Sequence, residues 1–329
     1  MDTDFFVTPP VSAFSLADTL ECGQCFRWKR IDLPDNLPEM GAPAQVSYLL
    51  AAGSRCCAVT GYPDGRLLFS PPPISRIGQT GQPAEGYFSG TDQQFWREYF
   101  DLDRDYAAIQ KQLSQDPVLE QACRNAPGIR ILKQDGWEAL CTFIISQNNN
   151  IQRIGGIVGR LCDTFGDPIA GGGGIRSFPG PERLAVLQRE ELAPLRVGFR
   201  DRYILDAARK TALPPVCPPE SEGESAGRNF QPVSLETVKT APLKEAKAML
   251  MTILGVGTKV ADCALLFGFG RLECVPQDVW IKRVMAKWYP QGLPEFALPY
   301  AGIAQQYLFH YARTAARELF REGASAVES

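Results

Sequence analysis

The chain has 329 residues, 45% of them hydrophobic and 22% charged, with a formal net charge of −3. This is the composition of a globular, soluble chain with room for a sizeable core, and it excludes a disordered one. The charge is uneven: residues 1–120 sum to −7 and residues 121–329 to +4, which fits a local anionic ligand on the C-terminal portion as well as an ordinary surface.

In chain order, residues 1–10 carry Asp2 and Asp4 and no basic cluster, so no secretory signal is expected there. No apolar run reaches the roughly 18 residues of a membrane span. Short β-prone runs at 26–28, 46–50, 57–60 and 66–69 are punctuated by Pro-Asp-Asn, Ala-Gly-Ser and Pro-Asp-Gly. They predict a small antiparallel sheet in an N-terminal domain, residues 1–115. A Pro/Gly-rich loop follows at 71–90, and helical pattern begins near Thr91. Helices are expected over 109–124 (interrupted or restarted at Asp116-Pro117), 137–147, 151–165, 181–187, 201–213, 243–253 and 300–319. In the second and third of these, apolar residues from Leu140 to Phe165 step by three and four. The fold class is therefore α+β, a sheet domain followed by a mostly helical region, residues 116–329, of two subdomains. Residues 166–180 contain four consecutive glycines and read as a flexible loop. Residues 214–232 read as a solvent-exposed insertion and residues 321–329 as a frayed tail.

Several chemistries are disfavoured. The one histidine, His310, lies in an amphipathic helical run with no partner at ligand spacing. That argues against Ser-His-Asp and Cys-His catalysis and against His-rich metal sites. Ten cysteines in a chain of this size are expected to be mostly free and reduced. Cys22-x-x-Cys25 and adjacent Cys56-Cys57 suggest zinc, but neighbouring cysteines rarely both ligate one metal, so no metal is expected. No cysteine follows Cys274, which argues against a C-terminal iron–sulfur loop.

The most informative stretch lies between residues 243 and 280. A helical run feeds a turn with Gly255 and Gly257, and a second helix starts near Thr258, read as its N-cap. Such a hairpin, over 243–270, leaves free N–H groups and partial positive charge at the head of the second helix, which suits a phosphate. Lys259 sits in that first turn, and Asp278 follows nineteen residues later, after Pro276. Cys263 is four residues beyond Lys259 and Phe309 four beyond Gln305, so each pair shares a helix face. Asn148, Asn149 and Asn150 stand between two helices, either as a polar turn or as amides held at a corner facing a ligand. Asp278 reads equally well as the N-cap of a following helix.

Residues 255–263 (Gly-Val-Gly-Thr-Lys-Val-Ala-Asp-Cys) and 275–278 (Val-Pro-Gln-Asp) closely resemble the helix-hairpin-helix, Gly/Pro-Asp (HhH-GPD) superfamily of base-excision DNA glycosylases. The likeness narrows to the 8-oxoguanine DNA glycosylase/lyase family through Gly23-Gln-x-Phe-Arg-Trp28, Asn148-Asn-Asn-Ile151 with Arg153, and Pro299-Tyr-Ala-Gly302 with Gln305 and Phe309. These blocks fall in order along nearly the whole chain. The resemblance implies that Lys259 is the nucleophile that attacks the sugar C1′ and leaves a Schiff base. An exposed lysine, with a pKa of about 10.4, is a poor nucleophile, and a helix N-terminus and burial are expected to lower that value. Asp278 is implied to stabilise charge developing on the sugar. A carboxylate beside Lys259 would raise the lysine's pKa, so Asp278 is expected mainly to face the sugar.

By the same resemblance, Cys263 and Phe309 sandwich a flipped base and Gln305 reads its pairing edge. Gly23, otherwise merely a strand-edge glycine, supplies a carbonyl to the N7–H that only the oxidised purine carries. Asn148 fills the gap left by the base, Arg153 and Arg200 hold the orphaned cytosine, and Phe199 is the wedge. Gly255, Gly257 and Val260 are implied contacts of the hairpin with DNA.

Two departures stand out. Trp280 and Ala312 replace a histidine and an aspartate that pair in eukaryotic members, where the histidine contacts a phosphate. Losing both together strands no charge and points to a bacterial-type branch, cytoplasmic and working at the nucleoid. Cys22 and Cys25 replace serines flanking the glycine, which raises redox sensitivity at Gly23 as a hypothesis. The expected partner is double-stranded DNA containing oxidised guanine, with no membrane, no metal or organic cofactor, and a monomeric protein. The alternatives are a glycosylase for another lesion, such as an alkylated purine, whose branch lacks the lysine, and a non-catalytic HhH duplex-binding module. Adenine excision is disfavoured because that branch usually carries an iron–sulfur cluster.

Overall fold

The computed structural model describes residues 5–34, 37–38, 40–73, 88–217 and 230–315. Most of the 71–90 loop, the centre of the 214–232 insertion and the C-terminal tail lie outside the described residues. Strand β1 (Phe6–Val7) and helix α1 (Leu16–Glu21) precede β2 (Trp28–Ile31), β3 (Val46–Ala52), β4 (Arg55–Gly61) and β5 (Leu67–Ser70). The five strands form one antiparallel sheet in the order β1-β5-β4-β3-β2. The β3–β4 hairpin turns at Gly53-Ser54, with Ala52 opposite Arg55 and Gly53 at φ +55°, a backbone that glycine adopts without strain. Two elements of the sheet domain escape the sequence pattern. A two-residue strand carries no periodicity, and α1 is set by Ser15, whose side chain accepts from the Asp18 N–H.

The sheet's core (Tyr48, Leu50, Val59, Leu67, Phe69) packs with Leu20 of α1 and with Trp96 and Phe100 around α2 (Gly90–Tyr99). Helices α3 (Tyr106–Leu113) and α4 (Pro117–Asn125) belong to a second, larger core. Asp116 caps α4, with Pro117 at its first position, so the Asp-Pro pair starts a new helix. Helices α5 (Gly136–Ile145), α6 (Ile151–Phe165), α7 (Pro181–Ala185), α8 (Asp201–Thr211), α9 (Leu235–Thr240), α10 (Leu243–Leu250), α11 (Thr258–Phe269), α12 (Val279–Trp288) and α13 (Ala301–Thr314) complete it. Adjacent Cys56 and Cys57 sit on β4, where successive side chains point to opposite faces.

Helices α5 and α11 are the centre. Every residue from Trp137 to Ile145, and from Val260 to Phe267, is buried. They run antiparallel and touch through glycine: a Cβ on Gly268 would stand 2.8 Å from the Ala139 Cβ and 2.9 Å from the Gly136 Cα. Phe143 stacks on Phe267 with centroids 5.2 Å apart. The sheet is tied to α5 by a buried ion pair, Arg27 to Glu138 at 2.9 Å. Helix α11 is tied to α10 by Lys247 and Asp262 at 2.7 Å. The hairpin turn is held by α8: Asp206 accepts from the Leu254 N–H (2.7 Å) and Lys210 donates to the Thr252 carbonyl (2.7 Å). Gly255, at φ +77°, lies flat against Tyr203, which a Cβ would meet at 2.4 Å.

Substitution Gly268→Ala should lower the urea-unfolding free energy by about 1–3 kcal/mol, because the α5–α11 approach has no room for a methyl group. Gly159→Ala in α6, where nothing lies within 4 Å of the new Cβ, should be neutral or stabilising. Equal effects from the two would refute the close-packed crossing.

Candidate active site

The crossing delivers the C-terminal end of α5 and the N-terminal end of α11 to one side of a cavity of about 1070 Å³. Helix α13, the turn at Gly23 and the start of α12 supply the other walls. Lys259 is half-buried, in the first turn of α11. The N-cap is Gly257, not the expected Thr258, and no side chain caps the helix, so its leading N–H groups stay available to a ligand. The Lys259 Nζ lies 3.4 Å from the Ser146 Oγ and 5.2 Å from the centroid of the Phe143 ring. The Ser146 hydroxyl donates to the Phe143 carbonyl at 2.8 Å, which turns its lone pairs toward the amine. Among the described residues no carboxylate pairs with Lys259.

Cys263, one turn on, is buried, and burial pushes its thiol up to about 11 against the pull of Lys259. It is a neutral, apolar wall. Asp278 caps α12: its Oδ1 accepts from the Ile281 N–H at 2.8 Å. The cap uses one carboxylate oxygen, and Asp278 lines the same cavity as Lys259. Gln305 is 4% exposed, and its amide oxygen has no hydrogen-bond partner among the described residues. A buried acceptor without a partner is costly, and this one lies in the cavity wall. Phe309, four residues on, is half-buried on the same wall.

Gly23 stands at φ +90°, in the left-handed region that disfavours a side chain. A Cβ there would sit 3.2 Å from Ile151 Cδ1 and 3.6 Å from Arg313 Nη1. The flanking peptides are pinned. The Cys22 carbonyl accepts from Gln306 (3.3 Å) and Arg313 (3.5 Å). The Gln24 side chain bonds the Thr19 and Arg130 carbonyls and the Leu132 N–H, and the Gln24 carbonyl accepts from Gln134. Cys22 and Cys25 are free and buried, and burial raises both thiols, Cys22 to about 11. Protonated, enclosed thiols are poor targets for oxidants, which removes the basis of a redox switch at Gly23.

The three asparagines do three different jobs. Asn149 donates to the Ile145 carbonyl at the end of α5, and Asn150 caps α6 through the Arg153 N–H. Asn148, exposed and at φ +48°, projects between them on the cavity. Arg200 differs from its expected setting. It is 3% exposed, donates to the carbonyls of Val197, Gln147 and Asn148, and lies over the Phe199 ring at 4.4 Å. Burial, helped by nearby Arg153, holds its pKa below the usual range. Arg153 is exposed. Phe199 is 45% exposed and meets Tyr203 edge-on at 5.8 Å. Trp280 lines the cavity with Arg283 over its ring at 5.4 Å, and Ala312 is fully buried.

Gly23, Asn148, Phe199, Gly257, Lys259, Val260, Cys263, Asp278, Gln305 and Phe309 thus meet on one cavity, whereas Arg153, Arg200 and Gly255 lie outside its lining. Phe143, Ser146, Tyr203, Gln306 and Arg313 were not singled out by sequence, since their roles arise from contacts between distant segments.

A glycine-hinged helical hairpin with a lysine at the head of its second helix, followed by a Pro-x-Asp cap, defines the HhH-GPD class of base-excision repair protein. The model of the HhH-GPD superfamily base excision DNA repair protein matches residues 141–292, and that of the 8-oxoguanine DNA glycosylase N-terminal domain matches residues 7–140. The chain belongs to the 8-oxoguanine DNA glycosylase family. It is 36% identical to MBOgg1, solved in complex with a low-affinity DNA ligand, covering 96% of this chain and 98% of that one with a TM-score of 0.74. It is 28% identical to the Clostridium acetobutylicum 8-oxoguanine glycosylase/lyase solved with double-stranded DNA containing cytosine opposite 8-oxoG, covering 96% and 100% with a TM-score of 0.72. The Saccharomyces cerevisiae N-glycosylase/DNA lyase is 37% identical over 166 residues, which span 49% of this chain and 42% of that protein.

Of the ten cysteines only Cys217 is exposed. Native protein should therefore take up one equivalent of iodoacetamide at neutral pH, and Cys217→Ser none. Labelling of Cys22, Cys25 or Cys263 in the folded protein would contradict the buried, protonated thiols.

Proposed function

We propose that the protein is a bifunctional DNA glycosylase that removes 8-oxoguanine, preferentially opposite cytosine, and then nicks the abasic site. One observation carries this reading. Among the described residues the Lys259 amine has no carboxylate partner, and it lines the same cavity as Gln305, whose buried amide oxygen has no hydrogen-bond partner among them. A nucleophile and an unsatisfied reader of polar edges on one cavity call for a ligand that brings an electrophilic carbon to the first and a donor to the second.

The chemistry follows from these positions. The neutral Lys259 nitrogen attacks C1′ and the C1′–N9 bond breaks, its electron pair leaving with the base, which is then protonated. The sugar ring opens to a protonated Schiff base. Loss of a C2′ proton then expels the 3′ phosphate by β-elimination. Asp278, anchored through one oxygen, offers the other to the positive charge that develops on the sugar. The Gly23 carbonyl, fixed by its neighbours, accepts from the N7–H of the oxidised purine and opposes the bare N7 acceptor of guanine. One unpaired buried acceptor is worth about 1–3 kcal/mol of discrimination. Cys263 and Phe309 stack on the flipped base. Asn148 fills the vacated stack, Phe199 wedges the duplex, and Gly255, Gly257 and Val260 present backbone N–H groups to a phosphate. Arg153 and Arg200 face the orphaned cytosine, Arg200 first exchanging its carbonyl partners for the base. The protein works as a cytoplasmic monomer without a cofactor.

Borohydride should trap wild-type protein covalently on an 8-oxoguanine:cytosine duplex and should trap no Lys259→Gln protein. Asp278→Asn keeps a good N-cap and should leave the melting temperature unchanged while lowering single-turnover excision about a hundredfold or more. An adduct with Lys259→Gln, or undiminished excision by Asp278→Asn, would overturn these assignments.

A further inference from the structure

Helix α13 turns one face to the cavity, carrying Gln305, Phe309 and Arg313 at four-residue spacing. Arg313 has no carboxylate partner among the described residues. Its guanidinium lies over the Phe309 ring, 5.2 Å from the centroid, and its Nη1 donates to the Cys22 carbonyl at 3.5 Å. One planar cation thus joins two walls of the cavity whose positions in the chain are nearly three hundred residues apart. From this geometry we propose that Arg313 is a positioning residue for lesion specificity. It sets the width and angle of the slot between the Gly23 turn and the Phe309 ring, and so decides how well an oxidised purine is told from guanine.

The argument rests on an asymmetry. On the Gln24 side, the Gly23 turn is anchored by a fully buried side chain with four hydrogen bonds, one of them to the Cys22 thiol, and by a fifth to the Gln24 carbonyl. On the Cys22 side the thiol is tied to Thr19 and Gln24, but the Cys22 carbonyl itself is held from α13 alone, through Gln306 and Arg313. Gln306 is 2% exposed and locked in the helix packing. Arg313 is half-buried at the cavity edge and is the one of the two that also bears on the stacking ring. A guanidinium on an aromatic face restrains the ring's tilt and keeps its own planar donors aimed sideways. Lysine in its place could keep one donor but not the flat stack. Lys259 makes its contacts away from this clamp, with Ser146 and Phe143 at the end of α5 and with Cys263 on its own helix. Arg313 therefore bears on base recognition far more than on attack at an opened sugar.

This inference rests on the reading of the cavity as an oxidised-purine site, so the test separates the two. Wild-type, Arg313→Ala and Arg313→Lys proteins are assayed under single turnover on an 8-oxoguanine:cytosine duplex and on the same duplex with a preformed abasic site, over a salt series. The expected result is that Arg313→Ala loses about tenfold more rate on the lesion than on the abasic site. Arg313→Lys should recover part of that loss, with the salt slope of binding unchanged. Parallel loss on both substrates with a shallower salt slope would overturn the proposal in favour of a phosphate contact. Undiminished lesion preference in Arg313→Ala would overturn it while leaving the function standing. Absence of lesion excision by wild-type protein would overturn the functional reading and this proposal together.

Discussion

The site depends on how closely α5 and α11 approach. Gly136 and Gly268 let the two backbones touch where any side chain would hold them apart, and everything catalytic is measured from that contact. Because the helices run antiparallel, the end of α5 meets the start of α11. Ser146 and Phe143 then stand beside the Lys259 amine. Neither helix shows a polar face to water along most of its length, so neither can slide without exposing apolar surface. Lys259, the proposed nucleophile, is held by two helices that are buried along most of their length, although it sits in the first turn of a helix beside a loop.

Recognition is organised by different means. The Gly23 turn belongs to the sheet domain, and Arg27, five positions from the Cys22 carbonyl, ties that domain to α5 through Glu138. Gln24 reaches across to the 130–134 segment. The residues around Gly23 thus divide into two that line the cavity, Gly23 and Phe26, and two, Gln24 and Arg27, that bolt the turn to the helical region. Buried and hydrogen-bonded side chains give a backbone carbonyl the rigidity that a carbonyl on a free loop lacks. In the proposed function, that rigidity is what a single acceptor needs to discriminate between two purines that differ at N7 and C8.

Much of this was legible from sequence where the signal is local. The two glycines, Lys259, Cys263 one turn later and the Asp278 cap lie within a short stretch whose geometry the residue types dictate. The helices of the second core followed their apolar spacing to within a few residues. What escaped depends on distance in the chain. The Arg200 guanidinium is buried on the carbonyls of the asparagine loop, which no pattern around Arg200 announces. Ser146 and Arg313 acquire their meaning only when α11 and the Gly23 turn arrive. Cys22 and Cys25, standing in place of serines beside Gly23, raise redox sensitivity as a hypothesis, and their burial in the described structure argues the other way.

A rigid nucleophile, a fixed carbonyl and an unpartnered amide make one claim: the cavity is complementary to an oxidised guanine and not to guanine itself. The most direct measurement is single-turnover base release from two duplexes that differ only in carrying 8-oxoguanine or guanine opposite the same cytosine. The account predicts release of the oxidised base alone. Equal release from both duplexes, or none from the oxidised one, would contradict it.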